Sequence, residues 1–335
     1  MGDRGKARLA PILSVATGRR GIVKTAHLWL PLGTVLLAGH SRWPPDLWLN
    51  CFLIFGAVAC WTQCVILAND VADSAQDVEA GKARWIARRS RPAAIGWVLL
   101  LAAVGLLCAL QAPRPLGPVI VYCAANLTGL AYSLGPLRLK ERGILGLPTY
   151  AGSAMLAFAV LPWVWFGADA VTFWVLAPAV LLDKWTNLHF HQVVDYEDDS
   201  ASEAQTYAVR VGLPRAVRTL RVAAFLACVW LVAALAFLCA RLPGYWGLVG
   251  GAGAGAAVAV AAYARIRQSA SNQENALTKG LPPIYLGLTQ AAFRAVPVLL
   301  FAGLAATKPG TWPILALMLP LLLLEAWQLL HYTHR

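Results

Sequence analysis

The chain has 335 residues, 59% of them hydrophobic and only 13% charged, against a norm of roughly 25% charged in soluble domains. That balance excludes a water-soluble globular protein. The net charge of +12 is explained by membrane topology and anionic lipid, with no nucleic acid footprint.

Apolar stretches near or above the ~20 residues needed to cross a bilayer recur along almost the whole length. They predict ten spans, near 24–40, 47–69, 94–111, 116–134, 144–166, 170–194, 218–240, 245–265, 283–306 and 311–331. Residues 1–23 are basic, lack the apolar core of a secretory signal, and read as a cytosolic tail; 24–335 form one multi-pass domain. With the N-terminus inside, 22 of the 28 Lys and Arg fall on the cytosolic side and four on the other, which fixes the orientation in a cell membrane. Seven cysteines lie in or beside spans without metal-type pairing and read as small buried apolar residues.

The first polar feature ends the second span: Asn69-Asp70-Val71-Ala72-Asp73-Ser74-Ala75-Gln76-Asp77. On a helix, positions 69/70, 73 and 77 share one face, spread over roughly 10–12 Å at 1.5 Å per residue. Carboxylates so crowded repel one another, and the macrodipole disfavours them at a helix C-terminus, so the cluster asks for a cation. Hard oxygen ligands suit Mg2+, which bridges a few carboxylates to phosphate oxygens. Just downstream, Arg88-Arg89-Ser90-Arg91-Pro92 reads equally as lipid-facing charge or as a phosphate clamp.

The next cytosolic mouth carries Tyr132-Ser133-Leu134-Gly135-Pro136-Leu137-Arg138-Leu139-Lys140-Glu141-Arg142-Gly143. A hydroxyl and two or three cations here would complement phosphate oxygens that a metal does not reach. Arg138 and Arg142 are also what the topology rule places inside.

Asp183, Asn187, His191 and Asp195 form an i, i+4 ladder down one face of the sixth span, with Gln192 beside it. Polar groups at membrane depth are costly, so the stripe faces a cavity or a partner helix. Asp183 pairs with a neighbouring helix or Arg294, or it serves substrate. The ladder points toward the second acidic cluster, Asp195-Tyr196-Glu197-Asp198-Asp199, where Asp195 and Asp199 share a face and Glu197 is solvated. Asn187 and His191 are candidate acceptor contacts, His191 as a base. The clusters lie four spans apart at helices pointing the same way, which resembles a parallel duplication: two four-helix repeats, each with its acidic mouth on the second helix. The Gly247–Gly255 tract reads as close helix packing. Trp163, Trp165, Phe166 and Tyr150 could line a tunnel, although tryptophans in a membrane protein are more simply interfacial anchors.

The pattern Asn69-Asp70-x-x-Asp73-x-x-x-Asp77, followed by Arg91-Pro92 and Gly96, resembles the first signature of the UbiA superfamily of intramembrane prenyltransferases. Tyr132-Ser133 through Lys140, with Arg142-Gly143, resembles that superfamily's tyrosine–lysine loop. Asp195 through Asp199, then Thr206 and Val209-Arg210-Val211-Gly212, is similar to its second aspartate signature. The resemblance covers roughly 24–306. It implies an all-α integral membrane protein, a bundle of nine or ten transmembrane helices around a central cavity. By the same resemblance, Asn69, Asp70, Asp73, Asp77, Asp195 and Asp199, with Asp198 beside them, bind Mg2+ and a prenyl diphosphate. Tyr132 and Lys140 meet the phosphates, with Arg138 and Arg91 near, and Lys24 stands where the family often has a basic residue on its first helix. Two departures stand out: Ser200 replaces a usual basic residue after the second motif, and a tenth span exceeds the usual nine.

The expected activity is Mg2+-dependent prenyl transfer from a prenyl diphosphate to a small lipophilic or aromatic acceptor within the lipid bilayer. The alternatives are a terpene cyclase of the same superfamily, which needs no acceptor, and a cation-coupled transporter using Asp183, Lys184 and Arg294. One-sided acidic mouths argue against the transporter.

Overall fold

The computed structural model describes residues 22–39, 46–74, 90–202, 204–241, 281–307 and 311–321. Every regular element among them is helical. A 3-10 turn, Ile22–Leu28, runs into α1 (Trp29–Gly39), followed by α2 (Leu47–Ala72), α3 (Arg91–Leu110) and α4 (Leu116–Ser133). Next come α5 (Gly146–Met155), a π-helical segment Leu156–Val160, α6 (Leu161–Phe166) and α7 (Ala170–Val194). Two short helices, α8 (Tyr196–Ala201) and α9 (Tyr207–Val211), lead into α10 (Leu213–Arg241). Then α11 (Leu281–Gln290) passes through a second π segment, Ala291–Ala295, into α12 (Val296–Thr307), and a last short apolar helix, α13, covers Trp312–Leu321.

Among the described residues, six stretches are long and apolar enough to cross a membrane: α2, α3, α4, α5 through α6, α10, and Ile284–Ala306 within α11 and α12. Thr25–Leu37 and Trp312–Leu321 are shorter apolar helices. The expected span at 245–265 lies outside the described residues. The described helix ends fall within a few residues of the expected ones, because the flanking turn and charge signals are strong: Pro92 at the start of α3, after Ser90 in extended conformation, is one. At the head of α7, Asp169 accepts from the Thr172 backbone N–H at 2.9 Å and its hydroxyl at 3.0 Å.

Packing closes the helices into a ring. α2 contacts α3 and α4, α4 contacts α5, α5 contacts α7, α7 contacts α10, α10 contacts α11, α12 contacts α1, and the 3-10 turn returns to α2. Without water to drive helices together, membrane bundles rely on close approach at small residues. A Cβ at Gly129 would overlap Val65 of α2, so only glycine lets α4 lie this near. The ring's outside is apolar: Leu99, Leu107, Leu116, Leu127 and Trp174 are all exposed, and α3 buries only Ala94, Val98, Gly105 and Ala109. Such faces suit lipid contact.

Length positions the acidic motifs. α2 has 26 residues and so runs about 39 Å, more than a hydrocarbon core of about 30 Å. It is long enough for its last turn, which holds Asn69 and Asp70, to reach the polar interface. α7 has 25 residues and ends against Asp195, its C-cap.

Candidate functional site

Under the first motif α2 ends at Ala72, and Asp73 caps it. The Asp73 N–H still donates to the Asn69 carbonyl at 2.9 Å, so the i, i+4 juxtaposition survives the last turn. Asn69 Nδ2 donates to Asp73 Oδ2 at 2.9 Å. Asn69 Oδ1 accepts from Ser133 Oγ at 3.2 Å and from Lys140 Nζ at 3.1 Å. Asp73 Oδ1 accepts from Arg138 Nη2 at 3.2 Å and is ion-paired to Lys140. Asp70 is buried beside them. The first motif and the tyrosine–lysine loop therefore form one node.

The loop is built to reach it. Arg138 stands in the left-handed region at φ 38°, a conformation unusual for a non-glycine residue, and Arg138 Nε lies 2.7 Å from Glu141 Oε1. The backbone turns there and Lys140 follows in a short 3-10 turn, Leu139–Glu141, aimed back at α2. Gly143, at φ 61°, makes a parallel bridge to Thr206, and Arg210 Nη2 donates to the Glu141 carbonyl at 3.1 Å. The loop after α4 is thus fastened to the segment after the second motif.

In that motif Asp195 caps α7 and the Asp199 N–H donates to its carbonyl at 2.8 Å, which keeps the two acids one turn apart across the junction with α8. Asp195 and Glu197 are exposed and Asp199 is half-buried. Tyr132, on the last turn of α4, lies within electrostatic reach of both Asp73 and Asp199.

The remaining expected residues divide. Arg91 is exposed at the first position of α3. Asp77 lies outside the described residues, as do the side chains of Lys24 and Asp198. On the ladder, Asp183 is fully buried, Asn187 is half-buried, and His191 is exposed with its ring 6.3 Å from Phe190. Asp183 takes the neighbouring-helix option: its Oδ1 accepts from Tyr285 and Thr289, each at 2.9 Å. Sequence reasoning gives Ser133 no role of its own. Its burial beneath Asn69 depends on how α4 meets α2, which no local pattern encodes.

The donor set fits Mg2+. Its groups are hard oxygens: the amide of Asn69 and the carboxylates of Asp70 and Asp73. Among the described residues no three His, Cys, Asp or Glu side chains converge into a closed cage. Mg2+ needs none, since it is commonly held by one or two carboxylates and keeps waters and phosphate oxygens in its other positions.

Comparison with known proteins gives the family and the fold. The chain matches the UbiA prenyltransferase family over residues 28–280. It is similar in fold to a UbiA homologue from Archaeoglobus fulgidus solved with GPP and Mg2+, with a TM-score of 0.55 and 17% identity over 84% of this chain and 95% of that one. A digeranylgeranylglyceryl phosphate synthase gives 0.58 at 16% identity, over 88% and 99%. The apo UbiA homologue from Aeropyrum pernix K1 gives 0.51 at 17%, over 85% and 98%. At such identities the likeness is one of fold. No curated protein sequence matches the chain. The family match spans most of the sequence and takes in both aspartate clusters: this integral membrane protein belongs to the UbiA prenyltransferase family.

Proposed function

We propose that the protein transfers a prenyl group from an isoprenyl diphosphate to an aromatic acceptor inside the membrane, with Mg2+, releasing diphosphate. The observation that carries this reading is the node of Asn69, Asp73, Ser133 and Lys140, with Tyr132 in reach of the second aspartate cluster. In this reading Asp70, Asp73 and Asp77, together with Asp195, Asp198 and Asp199, hold the metal-bound diphosphate. Mg2+ supplies positive charge to the phosphate oxygens as the bond to carbon breaks. Asn69, Asp70 and Asp73 would hold the metal, and Lys140 and Arg138, which neutralise Asp73 in the structure, would bind the phosphate oxygens. Tyr132 donates its hydroxyl to the same group. Where charge develops on a leaving group, preorganised donors of this kind commonly lower the barrier more than any other effect. Lys24, Arg91, Asn187 and His191 are outlying contacts in this reading. The mouth opens to the cytosol, as the distribution of Lys and Arg requires, and the remaining spans complete a bundle of nine or ten helices with paired four-helix repeats.

The test uses purified full-length protein in detergent, dimethylallyl, geranyl and farnesyl diphosphates, and Mg2+, with and without phenolic and quinoid acceptors. Mg2+-dependent diphosphate release with a prenylated acceptor is the expected result. A cyclic hydrocarbon formed without acceptor would assign the protein to the cyclases instead. No turnover and no binding of any prenyl diphosphate would sink both.

A further inference from the structure

The outward side of α10 carries a group of cations away from the acidic mouth. Ala216, Leu220, Ala224, Ala227 and Leu231 are buried and form the stripe by which the helix packs against α7 and α11. On the opposite side Val222, Phe225 and Val229 are exposed, an apolar stripe that suits acyl chains. Arg218 stands one turn before Val222 on that side. Arg215 and Arg221 flank it, three residues before and after, and all three arginines are exposed.

Helix length sets their depth. Residues 222–240 hold no charged side chain, a run of 19 positions between Arg221 and Arg241. At 1.5 Å per residue that run covers about 28 Å, close to a hydrocarbon core of about 30 Å. With it in the hydrocarbon, Arg215, Arg218 and Arg221 rise over about 9 Å at the level of the lipid headgroups. They do so at the end of α10 that follows the second aspartate motif.

No carboxylate answers them. The ion pairs among the described residues involve His27, Arg138, Lys140 and Lys184 and none of these three arginines. Arg210, by contrast, is spent within the protein, its Nη2 donating to the Glu141 carbonyl. The topology rule accounts for arginines at this end of the helix, but it does not choose a helix face. Three like charges this close repel one another, and they share the face that continues into an apolar stripe.

That continuity selects the counter-charge. A guanidinium offers paired N–H donors to a phosphate. A free anion would meet the arginines and leave the adjoining stripe unused. An anionic phospholipid brings a phosphate and chains that run down α10 in one molecule. We propose that Arg215, Arg218 and Arg221 bind the headgroup of an anionic phospholipid, whose acyl chains lie along Val222, Phe225 and Val229. The site is on the side of α10 turned away from α7 and so is separate from the diphosphate mouth.

Native mass spectrometry of the purified full-length protein, titrated with dioleoylphosphatidylglycerol or dioleoylphosphatidylcholine, tests this. The parent protein should hold the anionic lipid at least about tenfold more tightly than the zwitterionic one, and equimolar inorganic phosphate should not displace it. Arg215→Gln, Arg218→Gln and Arg221→Gln together should bring the two lipids within about twofold of each other. Arg4→Gln, Lys6→Gln and Arg8→Gln together, which remove the same charge from the N-terminal segment, should leave the preference intact. Arg218→Gln alone should lower it about threefold, a result that stands even if the triple variant fails to fold. No preference in the parent protein, the parent's preference in Arg218→Gln, an equal loss in the N-terminal variant, or displacement by inorganic phosphate would each overturn the proposal.

Discussion

Lys140 and Asn69 are 71 residues apart in sequence, yet Lys140 Nζ donates to Asn69 Oδ1 at 3.1 Å while pairing with Asp73. The tyrosine–lysine loop thus closes directly over the last turn of α2. In the proposed reaction, a cation already resting on the first aspartate motif would be a phosphate ligand held in place before substrate arrives.

Replacement of Lys140 by Ala is expected to raise the KM for prenyl diphosphate about tenfold, the loss of one charge-assisted contact of about 1.4 kcal/mol. Acceptor KM should stay near the parent value. Initial-rate kinetics with each substrate varied in turn give the answer, and a change confined to the acceptor constant would move Lys140 to another subsite.

Asp70→Asn, Asp73→Asn, Asp195→Asn and Asp199→Asn should each lower turnover by on the order of 100-fold or more, the scale at which removing one preorganised electrostatic group acts. Their cost to the fold should be small, since Asn keeps size and an acceptor oxygen. Diphosphate release at matched protein levels and the melting temperature in detergent, taken together, separate the two effects. Parent-like rates in all four variants would dismiss the metal-site assignment.

These motifs are legible in the sequence because carboxylates amid apolar residues are costly, so their presence at two helix ends is informative. Spacing puts Asn69, Asp73 and Asp77 on one face; the Asn69–Asp73 contact carries across the end of α2 at Ala72, and Asp77 lies outside the described residues. Asp183 is legible as an expensive residue but its partners are not. Tyr285 and Thr289 lie more than 100 residues away on an otherwise apolar helix, where a hydroxyl reads as ordinary packing. The rings of His27 and Trp61 reach Phe158 from separate helices, and the π segment that carries Phe158 leaves no mark on composition or periodicity, so nothing local announces these contacts.

Asp183→Leu should destabilise the protein by about 3–5 kcal/mol, because it leaves Lys184 as a buried charge without its carboxylate and removes the acceptor of the Thr289 hydroxyl, while Tyr285 keeps the backbone carbonyl at 2.7 Å. The double variant Asp183→Leu, Lys184→Met should recover part of that loss. Thermal unfolding in one detergent measures both. Equal stability of parent and single variant would show that the cluster contributes nothing to the fold.

Gly143→Ala places a side chain at φ 61° and against Arg210, so it should cost roughly 1–2 kcal/mol locally and loosen the Gly143–Thr206 bridge. Turnover is expected to fall more than global stability. Arg210→Ala, which removes the donor to Glu141 without straining the backbone, should do the same in milder form. Unaltered kcat in both would mean that the two loops work independently.

The length of α2 has a consequence for where products go. An acidic turn at the end of a helix longer than the hydrocarbon core would, in the proposed reaction, release the two products at different depths. The inorganic half would leave from the wetted rim into water, whereas the prenylated half would emerge between helices whose outer faces are leucine and tryptophan. Each product would thereby reach the phase that holds it, and the reverse reaction would have to gather its reactants from two solvents.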